Sequence, residues 1–412
     1  MNTHFIFFIF FTISVIKPIN IANINRYIGM GLFVLISIWF LIIFIKNYRN
    51  LLKSYLWEIV AITLFLVINI ISLLTNLHRF ETSIQLIFYG FASFAVWLIF
   101  PMSWLIFQYH NKQKYRWIGW SLMLFLTLVA LWQIFDVSFS KNLTQYFVAT
   151  DIYQYSSYIN SVTRNRTIYG VIAAIMLLVC LKQLFSLKIG TTAKLFFINL
   201  AILSLYTGIM SGSRNFVFVL GIGLLAMSFK NILKFPKTTV SLLLIAIIGI
   251  HFIVINNHRV VAQYSRTFPY LAKLSQNQAL STQDFIPRFN NRATSGRSKV
   301  WQDGIVLWKQ NPWMGIGAGS YRLSTKYKGQ INLHNYYLQV LVDSGIIGII
   351  SLIILLTLLL KRAYDAGNLT IFLAILSSLI FDNYLDYSMG WVLCIVWLLT
   401  ISNESEQKKS FI

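Results

Sequence analysis

The chain has 412 residues, of which 57% are hydrophobic and 11% are charged, and its mean hydropathy is +0.67. Soluble domains carry about 25% charged residues, so this composition excludes an ordinary water-soluble fold. The formal net charge of +22 would suggest nucleic-acid binding in a soluble protein. A membrane protein instead collects Lys and Arg in its cytoplasmic loops, so nucleic acid is not an expected partner.

Apolar runs recur along the whole chain at the length that an α-helix needs to cross a bilayer, about 15–25 residues. This pattern predicts an all-α, polytopic integral membrane protein with about 12 transmembrane helices. The first run has no small-residue cleavage site, so it is predicted to be a span rather than a signal peptide. The predicted spans are 5–23, 27–45, 55–75, 83–107, 117–135, 168–187, 195–210, 214–229, 238–256, 335–360, 368–381 and 388–402.

Positive charge alternates between successive connections. With the N-terminus inside, the inner connections contain 16 Lys and Arg residues and the shorter outer connections contain seven. This asymmetry predicts that both termini are cytoplasmic. The chain then divides into helices 1–9 over 1–256, a large periplasmic loop over 257–334, and helices 10–12 with a cytoplasmic tail over 335–412. The two cysteines lie inside apolar runs and are expected to be buried hydrophobes.

The loop 257–334 contains eleven Lys and Arg residues but only two Asp. Two interpretations remain open: a solvated basic surface near anionic headgroups, or an electropositive basin for an anionic substrate such as a lipid diphosphate. Within this loop, Ser298–Gln310 is predicted to be a short helix. Its apolar face suits either the membrane interface or packing onto the helix bundle; the face consists of Val300, Trp301, Ile305 and Trp308.

Two arginines lie where helices are predicted to begin. Arg214 follows the turn Ser211–Ser213, where free backbone N–H groups attract anions; a snorkelling interfacial arginine is the alternative. Arg297 begins the short loop helix and could form a bidentate pair with phosphate oxygens, or it could be a solvated surface residue. The glycine-rich segment Gly315–Gly319 lacks a βαβ context, so a tight turn is predicted there instead of a phosphate-binding loop.

His334 lies at the outer end of the span 335–360. The helix dipole and the surrounding cations both disfavour an imidazolium there, so a neutral histidine able to accept a proton is expected. A purely structural histidine is the alternative. Gly345-Ile346-Ile347-Gly348 on the same span is predicted to allow close helix packing. The outer carboxylates form no close pair suited to a metal ion, so neither metal nor cofactor is expected.

The segment His334-Asn335, followed after nine residues by Gly345-x-x-Gly348, is similar to the His-[Asn/Ser/Gln]-x9-Gly-x-x-Gly signature of bacterial O-antigen ligases. The stretches Gly296–Trp301 and Asn311–Gly317 resemble the periplasmic loop of the same family. Ser211-x-Ser213-Arg214 resembles the family's arginine at the start of a mid-chain span. The similarity of these motifs covers roughly 205–350, and the remainder resembles the family by topology alone.

The resemblance implies a metal-independent glycosyltransferase of the ligase type in the bacterial inner membrane, with its active site facing the periplasm. A glycan would pass from undecaprenyl diphosphate to a sugar hydroxyl of lipid A–core or another glycan. His334 would be the general base, and Arg214 and Arg297 would stabilise the leaving diphosphate. The further residues expected to contact substrate are Ser213, Arg292, Trp301 and Asn335.

Three alternatives remain from the sequence. A surface-polysaccharide polymerase would use the same donor with a lipid-linked glycan as acceptor. A protein O-oligosaccharyltransferase shares the histidine motif but tends to have a longer chain. A polysaccharide transporter is disfavoured, because the notable charges lie at outer helix ends and not at mid-membrane.

Overall fold

The computed structural model describes residues 24–77, 116–136, 166–185, 190–232, 254–286, 297–317, 320–323, 333–365 and 367–380. Within these ranges the regular structure is helical, as the composition predicts. The predicted spans 5–23, 83–107 and 388–402, and most of 238–256, lie outside the described residues. The helices are α1 (Ile24–Thr75), α2 (Arg116–Phe135), α3 (Arg166–Leu184), α4 (Thr191–Met210), α5 (Arg214–Ile232), α6 (His258–Tyr264), α7 (Tyr270–Ser275), α8 (Arg297–Trp308), α9 (Tyr336–Asp365) and α10 (Leu369–Ser378).

Four helical segments are long and apolar enough to cross a membrane within the described part of the chain. They are Tyr48–Thr75, Arg166–Leu184, Thr191–Met210 and Tyr336–Asp365. Shorter apolar segments lie in α2, α5 and α10. The structure is therefore that of an all-helical membrane protein.

The connection predicted between the spans 27–45 and 55–75 is helical, and α1 extends over Ile24–Thr75. Two helices meet within α1 at a kink, where Tyr55 has non-helical dihedral angles (φ −138°, ψ 30°). The kink lies at the predicted start of the second span. The basic residues before it predicted a loop because the sequence pattern reports polarity and not backbone geometry, whereas helix formers such as Leu and Lys continue the helix up to the kink.

Helix α3 forms the centre of the bundle. Every residue from Ile168 to Cys180 is buried, and α3 packs against α4, α5 and α10. An α-helix that is apolar on all sides is typical of such a central position. Close packing also depends on glycine, because a Cβ on Gly170 would overlap Ser213 and one on Gly223 would overlap Leu178.

Contacts at both ends of the bundle fix the relative direction of the helices. At one end, the backbone N–H of Tyr336 at the start of α9 donates to the carbonyl of Leu379 after α10 (2.8 Å). At the other end, Lys182 of α3 donates to the side-chain oxygen of Asn368 before α10 (2.6 Å). The starts of α3 and α9 therefore lie at the same end, which is the relative orientation that the alternating charge pattern predicts.

Helix α9 is broken at Gly345, where the backbone has φ +66° and ψ −163°. The segment Pro312–Gly317 lies in the break: Ile316 and Gly317 donate to the carbonyls of Val342 and Asp343 (2.9 and 3.0 Å), and Ile346 donates to the carbonyl of Pro312 (2.9 Å). These bonds replace helical hydrogen bonds that the break removes. Packing against a neighbouring helix, as predicted from Gly345 and Gly348, is therefore not the role of the first glycine.

Two other glycines fit this arrangement. Gly315 and Gly317 have positive φ angles of 70° and 90°, which confirms the prediction of a glycine-dependent turn rather than a phosphate-binding loop. Gly348 lies directly beneath Ser344, whose Cβ a side chain at 348 would overlap. Gly345 thus allows the break in the helix, and Gly348 allows the close contact with Ser344 that follows it.

A polar stripe on α1 holds the broken helix and the inserted segment together. Asn69, Ser72 and Asn76 are buried and lie on one face of α1, three and four residues apart. The Ser72 hydroxyl is 2.6 Å from the carbonyl oxygens of both Met314 and Asp343. Ser344 donates to the side-chain oxygen of Asn69 (2.6 Å). At the opposite end, Arg362 of α9 pairs with the buried Glu58 of α1.

Helix α8 packs onto the bundle, which is one of the two predicted positions for the short loop helix. Val300 is buried with Ile316, Tyr321, Leu333 and Val342. Its Gly304 lies so close to Leu333 that a Cβ there would crowd the leucine. The helix ends at Trp308, whose indole N–H donates to the carbonyl of Pro312 (3.0 Å). The predicted helix Ser298–Gln310 is thus confirmed within two residues at each end.

An ion pair closes the segment that follows α7. Lys273 contacts Asp284 at 2.8 Å, and the hydroxyl and backbone N–H of Ser281 donate to the same carboxylate. The Lys273 ammonium and these Ser281 bonds hold the pKa of Asp284 at about 2, below its usual value. Asp284, one of the two carboxylates in the loop 257–334, therefore has a structural role.

We expect Gly345→Ala to destabilise the protein. An alanine at φ +66° is strained by about 1–3 kcal/mol, and its Cβ would also overlap the Trp313 carbonyl. Thermal unfolding of the detergent-purified protein should show a lower midpoint. The matched control is Gly221→Ala, because a Cβ at Gly221 meets no atom within 4 Å. Equal midpoints for the two variants would contradict the role assigned to the break.

We also expect cysteines at Ala279 and Lys361 to be accessible from opposite sides of the membrane. Both positions are exposed, and the charge pattern predicts a periplasmic loop and a cytoplasmic connection respectively. In a cysteine-free background, an impermeant maleimide should label Ala279→Cys in intact spheroplasts and Lys361→Cys only after lysis. Labelling of both from the same side would refute the predicted topology.

Candidate functional site

Three helices begin with arginine at one side of the described structure. Arg166, Arg214 and Arg297 are the first residues of α3, α5 and α8. Arg297, Arg266 and Arg166 all act electrostatically on Arg214 and repel its positive charge. The helix dipoles add to this repulsion, because the start of a helix is itself positive. The four arginines, Arg166, Arg214, Arg266 and Arg297, are called the arginine cluster below.

Arg214 follows a tight turn between α4 and α5. Gly212 has a φ angle of 62°, and the Ser211 hydroxyl donates to the carbonyl of Gly208 (2.6 Å) and accepts from the Ser213 N–H (3.2 Å). Both serines are buried. The turn is therefore a rigid base that fixes where the α5 helix, and with it Arg214, begins.

The phenol of Tyr264, on α6, donates to the carbonyl of Ser213 (3.1 Å). Tyr264 is 2% exposed. Burial raises the pKa of this phenol well above its usual value, although the positive charges of Arg166 and Arg214 oppose the shift. A protonated phenol is the form that can donate a hydrogen bond, so Tyr264 ties α6 to the turn that precedes Arg214.

Two neighbours of Tyr264 bind arginines of the cluster. The guanidinium of Arg166 donates to the side-chain oxygen of Gln263 (3.1 Å), and that of Arg214 donates to the Thr267 hydroxyl (3.1 Å). Gln263 is 4% exposed. The segment 263–267 therefore orients Arg166 and Arg214, which are the first residues of α3 and α5.

His334 has an unusual backbone conformation, with a φ angle of 52°. Left-handed angles are uncommon for residues other than glycine and are found preferentially at functional sites. Side chains from two helices hold the preceding residue. The indole of Trp301 donates to the Leu333 carbonyl (2.9 Å), and the Leu333 N–H donates to the side-chain oxygen of Gln339 (3.0 Å). Both backbone groups of Leu333, the residue before His334, are thus held by side chains of α8 and α9.

Gln339 is held in turn by Asp343, since its side-chain NH2 donates to Asp343 Oδ1 (2.9 Å). The Asp343 carbonyl accepts from Gly317 and lies at the break in α9. A continuous set of bonds therefore connects the break at Gly345 with the peptide before His334. Neither Gln339 nor Asp343 was predicted as part of the site, because their spacing on one helix gives no sign of a partner in the loop.

Helix α8 connects the arginine cluster with His334. Arg297 interacts with Arg214, and Trp301, four residues further along α8, bonds to the residue before His334. Residues four apart lie on the same face of a helix. The structure thus brings the three predicted catalytic residues Arg214, Arg297 and His334 to a common region.

The four residues predicted to contact substrate have different surroundings. Ser213 is buried and its hydroxyl lies 3.4 Å from the Thr167 carbonyl. Asn335 accepts from the Leu338 N–H (3.0 Å) and so caps α9. Trp301 holds Leu333 as described above. Arg292 lies outside the described residues. Their contacts with substrate stay predictions.

The described residues contain no group of three or more His, Cys, Asp or Glu side chains that could hold a metal ion. Metal independence itself stays a prediction. The chemistry that these residues do offer is anion binding by the guanidinium groups of the arginine cluster. Such an arrangement suits a reaction in which negative charge develops on a phosphate group.

Comparison with known proteins agrees with the motif analysis. Residues 199–353 match the model of a family described as O-Antigen ligase. This segment includes Arg214, Arg266, Arg297 and His334, and it ends after the break in α9. No curated protein matches the chain.

We expect Tyr264→Phe to lower the stability of the protein by about 1–3 kcal/mol. The change removes the phenol hydroxyl and, with it, the hydrogen bond that Tyr264 donates to the buried Ser213 carbonyl. Thermal unfolding in detergent would measure the effect, with the exposed Tyr364→Phe as the matched control. If the two variants unfold at the same temperature, Tyr264 does not hold the turn.

Proposed function

We propose that the chain is a glycosyl-transferring membrane enzyme of the O-antigen ligase type, a proposal supported by the match of residues 199–353 to the model of that family. The protein transfers a glycan from undecaprenyl diphosphate to a sugar hydroxyl of lipid A–core at the periplasmic face of the inner membrane. The observation that carries the proposal is the convergence of Arg214 and Arg297 beside the fixed segment Leu333–His334.

In the proposed reaction His334 takes the proton of the acceptor hydroxyl. The acceptor oxygen forms a bond to the anomeric carbon of the donor glycan. The bond between that carbon and the diphosphate oxygen breaks, and its electron pair leaves with undecaprenyl diphosphate. The proton on His334 then passes to solvent or to the departing phosphate, which restores the base.

Arg214 and Arg297 stabilise the leaving group in this mechanism. One further negative charge develops on the diphosphate as the glycosidic bond breaks, so the attraction is stronger in the transition state than in the ground state. The guanidinium forks match pairs of phosphate oxygens. Their position at helix starts adds backbone N–H groups and the positive end of each dipole.

The strained backbone at His334 supports its role as the base. The φ angle of 52° is maintained by Trp301 and Gln339, which hold the neighbouring peptide. A residue that served only to fill space would not need this support. The energy stored in an uncommon backbone conformation is retained where a side chain must point in one direction.

We expect His334→Ala to abolish transfer while the protein remains inserted in the membrane. Arg214→Ala and Arg297→Ala should each lower the transfer rate by about 10²–10³-fold, the usual effect of losing one transition-state donor. Lysine at either position should rescue poorly, because a point charge does not reproduce the planar fork. Complementation of a deletion strain, scored by glycan-capped lipopolysaccharide on gels, is the measurement.

The controls are Lys326→Ala and Lys328→Ala, two lysines of the predicted loop 257–334 that lie outside the motifs and whose charges we expect solvent and salt to screen. Membrane expression of every variant is checked by immunoblot. Normal capping by His334→Ala would rule out the general-base role. Equal sensitivity of the loop lysines would mean that the loop binds its substrate diffusely, and the assignment of the two arginines would be incorrect.

The same strain separates a ligase from a polymerase, which would join two lipid-linked glycans. Loss of a ligase should leave long glycans on undecaprenyl diphosphate and the lipid A–core uncapped. Loss of a polymerase should instead leave core molecules capped by a single repeat unit. The second pattern would contradict the proposed acceptor but not the use of the donor.

A further inference from the structure

The backbone on both sides of His334 is held by hydrogen bonds that do not involve the imidazole. Before it, the Leu333 N–H donates to Gln339, and the Leu333 carbonyl accepts from the Trp301 indole. After it, the Tyr336 N–H donates to the carbonyl that follows α10 (2.8 Å). The Leu333 side chain is fully buried as well. The left-handed backbone of His334 therefore lies between two fixed points, which limits the directions open to its side chain.

Gln339 reaches Leu333 from the first turn of α9 and is itself buried. A glutamine amide offers both an acceptor and a donor. Its oxygen accepts from the Leu333 N–H at 3.0 Å, and its nitrogen donates to Asp343 Oδ1 at 2.9 Å. Asp343 lies four residues later on α9, so the two side chains share one face of the helix. Gln339 thus links the residue before His334 to the residue at the break.

The carboxyl group of Asp343 selects the orientation of this amide. An ionised carboxylate only accepts hydrogen bonds, so the amide nitrogen of Gln339 faces Asp343 and the amide oxygen faces the Leu333 N–H. With the amide reversed, two donors would oppose each other at Leu333. The backbone carbonyl of Asp343 is held in turn by the Ser72 hydroxyl (2.6 Å) and the Gly317 N–H (3.0 Å). The group that orients the amide therefore stands at the fixed edge of the break.

The start of α9 has a separate cap, so Gln339 is not needed for that purpose. The side-chain oxygen of Asn335 accepts from the Leu338 N–H (3.0 Å), which is the usual way in which a helix start is capped. Gln339 bonds instead to a residue outside the helix, next to the histidine. The polarity of Gln339 is thus used on the side of the candidate site.

We infer that Gln339 and Asp343 are positioning residues for His334. Asp343 orients the Gln339 amide, the amide holds the Leu333 N–H, and the backbone fixed in this way directs the imidazole. This inference rests on the proposed function, in which His334 accepts the proton of the acceptor hydroxyl. The pair then acts on the rate of the transfer step and not on donor binding, because proton transfer depends on the geometry of the base.

The experiment measures initial rates of glycan transfer by the purified full-length protein in detergent. The donor is the lipid-linked glycan extracted from a deletion strain, and the acceptor is lipid A–core. Gln339→Met keeps a long side chain but removes both hydrogen bonds. We expect its kcat to fall by about tenfold to a hundredfold, the effect of displacing a reacting group by about 1 Å. Its KM for the donor should not change.

A double-mutant cycle tests the orienting role of Asp343. Gln339→Glu places a second carboxyl group against Asp343 and should lower kcat. Adding Asp343→Asn to that variant returns one donor and one carboxylate with their positions exchanged, and most of the rate should return. Asp343→Asn alone should have a small effect, because its side-chain oxygen can still accept from Gln339. The cycle decides the result if Gln339→Met does not fold, since these substitutions keep the shapes of both side chains.

Hydrogen exchange followed by mass spectrometry reports the bond itself and does not depend on transfer. The Leu333 amide should exchange faster in Gln339→Met than in the wild type. Ser351→Ala is the matched control: Ser351 is buried on α9 beyond the break, and its hydroxyl donates to the Gly348 carbonyl (2.8 Å). This control should leave kcat and the exchange of Leu333 unchanged, even where it lowers the midpoint of thermal unfolding.

The outcomes distinguish this inference from the proposed function. Wild-type kcat in Gln339→Met, or a raised donor KM with unchanged kcat, would overturn the positioning role and leave the proposed reaction intact. A double variant no faster than Gln339→Glu would overturn the role of Asp343. Equal loss of kcat in Ser351→Ala would also overturn the inference, because the effect would then be one of stability. If the wild-type protein transfers no glycan, the proposed function itself fails, and faster exchange in Gln339→Met would then show a structural bond only.

Discussion

The break in α9 is the constraint on which the described architecture depends. In a bilayer every backbone N–H and C=O needs a partner within the protein, so an interrupted helix persists only where neighbouring groups replace the lost bonds. Here the partners of the α9 backbone are the backbone of Pro312–Gly317 and the Ser72 hydroxyl, while Asn69 accepts from the Ser344 hydroxyl. One interruption therefore fixes three elements, α1, α8 and α9, relative to one another. The conformation of Gly345 makes the arrangement possible, because its positive φ angle is available to glycine at little cost.

The same interruption fixes the candidate site. Val342 and Asp343 accept bonds from Ile316 and Gly317, and the Asp343 side chain holds Gln339, which holds the peptide of Leu333. The direction of His334 thus depends on a position eleven residues away along the chain. This coupling gives a structural reason for the interval of nine residues between Asn335 and Gly345. The spacing places the break three helical turns after the histidine, where the inserted segment can support both.

The sequence was informative where local rules decide the structure. Apolar runs located α2 to α5, α9 and α10 within a few residues, and the short helix α8 followed from the spacing of Val300, Trp301 and Trp308. The turn glycines at 315 and 317 were recognised because positive φ angles are almost reserved for glycine. The helical connection before the kink at Tyr55 was missed, since basic residues at 46–53 resemble a loop. The backbone there is set by helix propensity together with packing, and hydropathy alone does not report either.

The site was predicted in part for the same reason. Arg214, Arg297 and His334 were identified from motifs. Arg166 and Arg266 were not, because only the folded structure brings them near Arg214. The polar stripe of α1 was also missed, although its three residues recur at helical spacing within an apolar span. Buried polar side chains in such a span usually have a partner elsewhere in the protein. The partner here is the backbone of a segment more than 200 residues distant, which no local pattern identifies.

In the proposed mechanism, helix α8 carries groups that serve two chemically opposed requirements. A general base must be neutral to accept a proton, whereas a leaving diphosphate needs concentrated positive charge. Arg297 is the first residue of α8, and Trp301 lies four residues later, about one helical turn along the axis. The two proposed functions are therefore served from successive turns of one helix. The positive helix start faces the cluster, and the indole fixes the peptide before His334.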